Sequence, residues 1–128
     1  MIRITIPTPP IGYLRMTQGD VRLVRVASHK MILRNLSRWQ QVHRYLAYKD
    51  AVSLMCRKFV AGVNLNDKIT MDCCFYFANG AHPDPDNCWK AISDAIFCND
   101  NKVVGSFDFA IDPENPRTEI TLYLEPTP

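Results

Sequence analysis

The chain opens on a two-residue alternation, with Ile2, Ile4 and Ile6 on one side and Arg3 and Thr5 on the other. This is the pattern of a half-buried strand. It stops at Pro7-Thr8-Pro9-Pro10, because proline cannot donate to a ladder. Residues 13–16 and 21–26 read as two short strands around Gln18-Gly19-Asp20, a hairpin made basic by Arg22 and Arg25. Ser37-Arg38-Trp39-Gln40 has the form of a capping box, and no Gly or Pro follows it up to Val60. Trp39, Val42, Leu46, Val52, Met55, Cys56, Phe59 and Val60 recur at roughly helical spacing. They predict one long helix, or two abutting ones, ending near Gly62. Lys68–Ala78 is the clearest strand, with Ile69, Met71, Cys73, Phe75 and Phe77 on one face, and Asn79-Gly80 is a turn signal. A second helix is predicted from Asp86 or Asn87 to Cys98. Cys88, Trp89, Ile92, Ala95 and Ile96 share its apolar side, and Phe97 falls among the polar positions opposite. Val103–Ile111 and Arg117–Leu124 read as a strand hairpin turned at residues 112–116, with Val103, Phe107, Phe109 and Ile111 inward and Asp108 outward.

Together these elements predict an α+β fold, a mixed β-sheet with two main helices packed on it. Residues 1–128 form a single small domain, a size that buries enough surface to fold without a staple. Apolar residues make up 47% and charged residues 22%, which excludes a disordered or low-complexity chain. The apolar run 73–78 is too short to cross a bilayer. The first ten residues lack the apolar core of a secretory leader. Five cysteines, with no C-x-x-C pair, read as buried free thiols of a reducing compartment rather than a disulfide framework or thiolate zinc site.

The net charge of +2 conceals an asymmetry. Residues 1–60 hold eleven Lys/Arg against two acids, a balance of +9, and residues 61–128 hold four against eleven, a balance of −7. A basic half suits a polyanion, and an acidic half in the same protein suits a divalent cation. The plainer alternative is a mixed surface on which the two halves interleave.

The most informative segment is His82-Pro83-Asp84-Pro85-Asp86-Asn87-Cys88-Trp89-Lys90, followed by Asp94 and Asp100. Pro85 holds Asp84 extended, so Asp84 and Asp86 face one side and Lys90 rises one helical turn after Asp86. Neighbouring carboxylates repel unless something positive lies between them, and a hard divalent ion with retained waters fills that role. The same residues also admit a purely structural reading: Asp86 as an N-cap, Asp84 as a turn residue and Lys90 as an i,i+4 partner. An EF-hand is excluded, because Trp89 and Ala95 stand where that loop needs Gly and Glu.

The run D-P-D-N-C-W-K-A-I-S-D-A-I, with Asn99-Asp100-Asn101-Lys102-Val103 after it, resembles the RusA family of Holliday-junction resolvases. Residues 4–10 and 47–52 are similar to that family's opening strand with its proline turn and to its first helix. The resemblance implies a Mg²⁺-dependent endodeoxyribonuclease of recombination and repair, with Mn²⁺ as the alternative ion. Asp84, Asp86 and Asp100 would bind the metal, Lys90 would be the active-site lysine, and Asn87 and Asp94 would give structural support. It further implies a homodimer acting on branched DNA, bacterial or phage-encoded and cytoplasmic, whose two sites nick opposed strands. Asn99 stands where the family carries an acid, and the Lys90–Asp100 connection is shorter than the family's. These departures keep two alternatives in view: a nucleic-acid-binding module without catalysis, and a nuclease that prefers other branched DNA.

Overall fold

The computed structural model describes residues 1–61, 68–97 and 103–125. The described residues form four helices and five strands, in the order β1 (Ile2–Ile6), α1 (Gln18–Arg25), α2 (His29–Arg34), α3 (Leu36–Val60), β2 (Lys68–Phe77), α4 (Pro85–Phe97), β3 (Val103–Val104), β4 (Phe107–Ile111) and β5 (Arg117–Glu125). The architecture is α+β, with a mixed sheet, as the pattern of the sequence predicts.

β2 is the central strand. β5 runs antiparallel along one side of it, and β3 and then β4 run parallel along the other, while β1 closes the far edge against β5. The expected β4–β5 hairpin is therefore absent, since the two strands flank β2 instead of pairing with each other. Parallel pairing of β2 with β3 and β4 needs a crossover, and α4 supplies it. The 112–116 turn then carries the chain across the end of β2, where the Asp112 N–H donates to the Phe77 carbonyl at 2.8 Å. Arg117 holds this turn by pairing with Asp112 at 2.9 Å and Glu119 at 3.0 Å, with its guanidinium 3.8 Å from the centre of the Tyr76 ring.

The alternation in β2 is exact in its effect: Ile69, Met71, Cys73, Phe75 and Phe77 are buried, and the intervening residues are exposed or half-buried. Ile4, Ile6, Ile120 and Leu122 extend this layer, and α3 and α4 cover it with Tyr48, Val52, Cys56, Cys88, Ile92 and Ala95. In α3 the buried stripe is Val42, Tyr45, Tyr48, Val52 and Cys56, whereas Met55 and Phe59 are exposed. Tyrosines thus fill places expected of aliphatics, their rings supplying apolar area. Phe97, the misfit of the helical pattern, packs half-buried against the core.

Two expectations fail between residues 13 and 40, and one helix there went unread. The basic hairpin is instead a helix, α1, opened by a reciprocal cap in which Thr17 Oγ1 accepts from Asp20 N–H and Asp20 Oδ2 accepts from Thr17 N–H. Asp20 also receives Arg38 through two bonds of 2.7 and 2.8 Å, fastening α1 to α3. Residues 29–34, unassigned by the pattern, form α2, capped by Ser28. Ser37 is not the cap of α3, which starts at Leu36 behind Asn35. α3 ends at Val60, and Gly62 and Cys98, the expected helix limits, lie outside the described residues.

Phe107, Phe109 and Ile111 are in register with Cys73, Phe75 and Phe77, so they share the helix-bearing face. They remain 45%, 48% and 49% exposed. The inward assignment is thus right in direction and wrong in burial, because they stand on the strand beyond β2. Between β3 and β4, Gly105 approaches β2 so closely that a Cβ there would meet the Met71 carbonyl oxygen at 1.9 Å. Cys56, Cys73, Cys74 and Cys88 are free thiols, and burial pushes Cys56 up to about 11 and Cys88 up to about 12. No described helix is long and apolar enough to cross a membrane.

Two outcomes follow from this packing. Gly105→Ala loses roughly 1–3 kcal/mol in a denaturant melt, because β2 backbone has to move; an unchanged midpoint contradicts the close approach. The Asp20 carboxyl is held well below the usual carboxylate range, first by the Arg38 hydrogen bonds and then by the Thr17 N–H. A depressed folded-state pKa stabilises the fold above the unfolded value near ~4 and loses that contribution as pH falls below it. Asp20→Asn therefore melts below wild type at pH 7, and the gap narrows below about pH 4; a gap that is constant with pH counts against the pairing.

Candidate functional site

The site is built at the N-terminus of α4. Pro85 takes the first helical position, where a missing N–H costs nothing, and Asp84 takes the cap. Asp84 Oδ1 accepts the Asp86 N–H at 2.9 Å, and its carbonyl accepts the Cys88 N–H at 3.0 Å. One turn on, Lys90 Nζ lies 3.3 Å from Asp86 Oδ2, with both side chains about half exposed (49% and 48%). Asp84, Asp86 and Lys90 therefore gather on one exposed helix end, and each acid already has a local partner. The structural roles weighed for this segment are real, although the cap is Asp84 and not Asp86.

Several contacts fix where this helix end points. Trp89 Nε1 donates to the Met71 carbonyl at 2.8 Å, tying α4 to the middle of β2. Tyr13 N–H donates to the Asn87 carbonyl at 2.9 Å, and Gly12 lies so close to Pro83 that a Cβ would be 3.2 Å from its Cβ. Asp94 faces α3, accepting from Tyr45 Oη at 3.1 Å and pairing with Lys49 at 2.8 Å. Burial, and then the Asp94 charge, raise the Tyr45 hydroxyl well above the usual phenol range. Asp94 is thus a supporting residue, and its partners Tyr45 and Lys49 went unread in the sequence; the one signal for them was an unpaired acid on the flank of an amphipathic helix. Lys49–Asp94 is also the one ion pair among the described residues that joins the basic half of the chain to the acidic half.

The carboxylate oxygens of Asp84 and Asp86 are hard donors, on an exposed and a half-exposed side chain. This donor chemistry fits the ion. Among the described residues no three His, Cys, Asp or Glu side chains gather to hold one, and Asp100 lies outside the described residues. Its described flanks are Phe97, the last residue of α4, and Val103, which pairs with Ile69 near the start of β2. Asp84 stands at the opposite end of α4, a helix of 13 residues spanning about 20 Å.

His82 is half-buried, its ring stacked on Phe77 at 4.0 Å and 6°, with Nδ1 2.8 Å from the Pro83 carbonyl. His43 lies against Trp39 at 4.2 Å. No protein-family model matches the chain, and no curated protein matches it.

The α3–α4 tie is measurable. A double-mutant cycle over Lys49→Ala and Asp94→Ala gives a coupling of roughly 0.5–1 kcal/mol, as for a partly exposed pair; additive losses contradict the pairing.

Proposed function

We propose that this protein is a Mg²⁺-dependent, structure-specific endodeoxyribonuclease that resolves four-way DNA junctions by paired nicking. The observation that carries the reading is the junction of Asp84, Asp86 and Lys90 on one exposed, rigidly seated helix end. Asp84 and Asp86 would hold the ion, with retained waters completing its shell, and Mn²⁺ would serve in place of Mg²⁺. When bound, such an ion acidifies a water and offsets charge on the phosphodiester. Lys90, one helical turn from Asp86 and half exposed, would set its ammonium against the scissile phosphate. The Asp84 cap keeps both acids at a fixed spacing, and the positive end of α4 favours the approach of a phosphate. The bases of residues 1–60 would neutralise the phosphates of the arms.

A homodimer matches the two-fold symmetry of a junction, and the half-exposed strip of Phe107, Phe109 and Ile111 gives a second copy an apolar face to cover. Unpaired core thiols suit the cytoplasm of a bacterium, with a host or phage gene. The second reading, a branched-DNA-binding module without catalysis, is favoured by the Asp86–Lys90 pair, which engages both groups with each other.

The deciding assay is nicking of a labelled four-way junction, a replication fork and a flap. Cutting requires Mg²⁺ or Mn²⁺ and stops in EDTA. Asp86→Asn and Lys90→Ala each lower it by roughly 100-fold or more, with junction binding retained. Equal cutting by Asp86→Asn removes the proposed site; salt-sensitive binding with no cutting under any divalent ion establishes the second reading. Light scattering at micromolar concentration returns twice the chain mass, and Phe109→Asp returns a single chain mass; a strictly monomeric wild type contradicts paired cutting.

A further inference from the structure

A cavity of about 520 Å³ opens beside the helix end, between the proline turn after β1, the middle of α3 and the β2–α4 loop. Its apolar walls are Pro9, Pro10, Ile11 and Phe77. Its polar groups are Gln41, Arg44, Tyr45, Asn79 and His82, the Tyr45 hydroxyl already donating to Asp94, and no acid lines it. The bonds already made decide what each polar group has left. Asn79 Oδ1 is occupied by the Ala81 N–H at 2.9 Å, and Gln41 Oε1 faces Arg38 at 3.5 Å, so both amides have their NH₂ groups to offer. A carbonyl only accepts, so His82 Nδ1 carries a proton for Pro83, and the ring is held flat on Phe77. Arg44 is in no ion pair among the described residues.

Apolar walls, amide donors, a guanidinium and no carboxylate select a flat, acceptor-rich, anionic guest. A nucleobase with its phosphate has these properties, and pockets of this size hold ligands of that class. The cavity shares Pro83 with the loop that leads into Asp84. We propose that it receives one nucleobase extruded from the branch point, adjacent to the phosphate addressed by Asp84 and Asp86. Arg44 takes the phosphate of that nucleotide, and the Gln41 and Asn79 amides donate to the edge of its base. This inference rests on the nuclease reading and names the part of the substrate recognised beside its site.

The test places 2-aminopurine at each position flanking the branch point of a four-way junction and records fluorescence on saturation with the full-length protein, with Ca²⁺ in place of Mg²⁺. One position brightens several-fold as its base leaves the stack. The Gln41→Ala/Arg44→Ala double variant, whose altered side chains are exposed and spare the core, binds the junction without that increase, whereas Asp86→Asn keeps it. A wild type that cuts the junction while no position brightens overturns the pocket and leaves the nuclease reading standing. Equal brightening by the double variant at saturation also overturns it. Brightening that depends on Gln41 and Arg44, in a protein that cuts nothing with Mg²⁺, upholds the pocket and defeats the nuclease reading.

Discussion

The hydrogen bond from the Trp89 indole to the Met71 carbonyl, 2.8 Å long, is the constraint on which the site geometry depends. Met71 lies fully buried in the central strand, and Gly105 is drawn against the same backbone. An indole N–H that is partly buried loses stability without an acceptor, so this bond favours one rotation and height of α4 over β2. That setting carries Asp84, Asp86 and Lys90 to the end of the sheet, where the proline turn and α3 meet the β2–α4 loop. Asp94, gripped by Lys49 and Tyr45, stops the helix from rolling away from α3.

The two acids at the start of α4 each serve folding before they serve any chemistry. Asp84 satisfies helix N–H groups that would otherwise lack a partner, and Asp86 is neutralised by Lys90 within its own helix. A site assembled from capping residues has a fixed backbone and needs only side-chain rotation to bind an ion.

What could be read in the sequence follows from how strongly each pattern is tied to burial. β2 alternates over its whole length because one face is covered by helices, and α4 shows an apolar side for the same reason, Phe97 apart, so both were legible as elements. α1 was not, since Val21 and Leu23 flank Arg22 at the two-residue spacing of a strand. The informative signal there was local: Thr17 and Asp20 at capping-box spacing. The β4–β5 pairing misled because adjacent strands usually pair, whereas here a parallel crossover had already claimed one side of β2 for β4. In α3 the tyrosines were passed over for aliphatics, which hid Tyr45 and, with it, the Asp94 tie.

The most direct test of the account is paramagnetic broadening of backbone amide signals by substoichiometric Mn²⁺. The account predicts that the amides of residues 84–87 broaden first and together, and that Asp84→Asn combined with Asp86→Asn abolishes the effect while the remaining spectrum is unchanged. Sharp signals at 84–87 in the presence of the ion, or broadening centred elsewhere in the chain, contradict it.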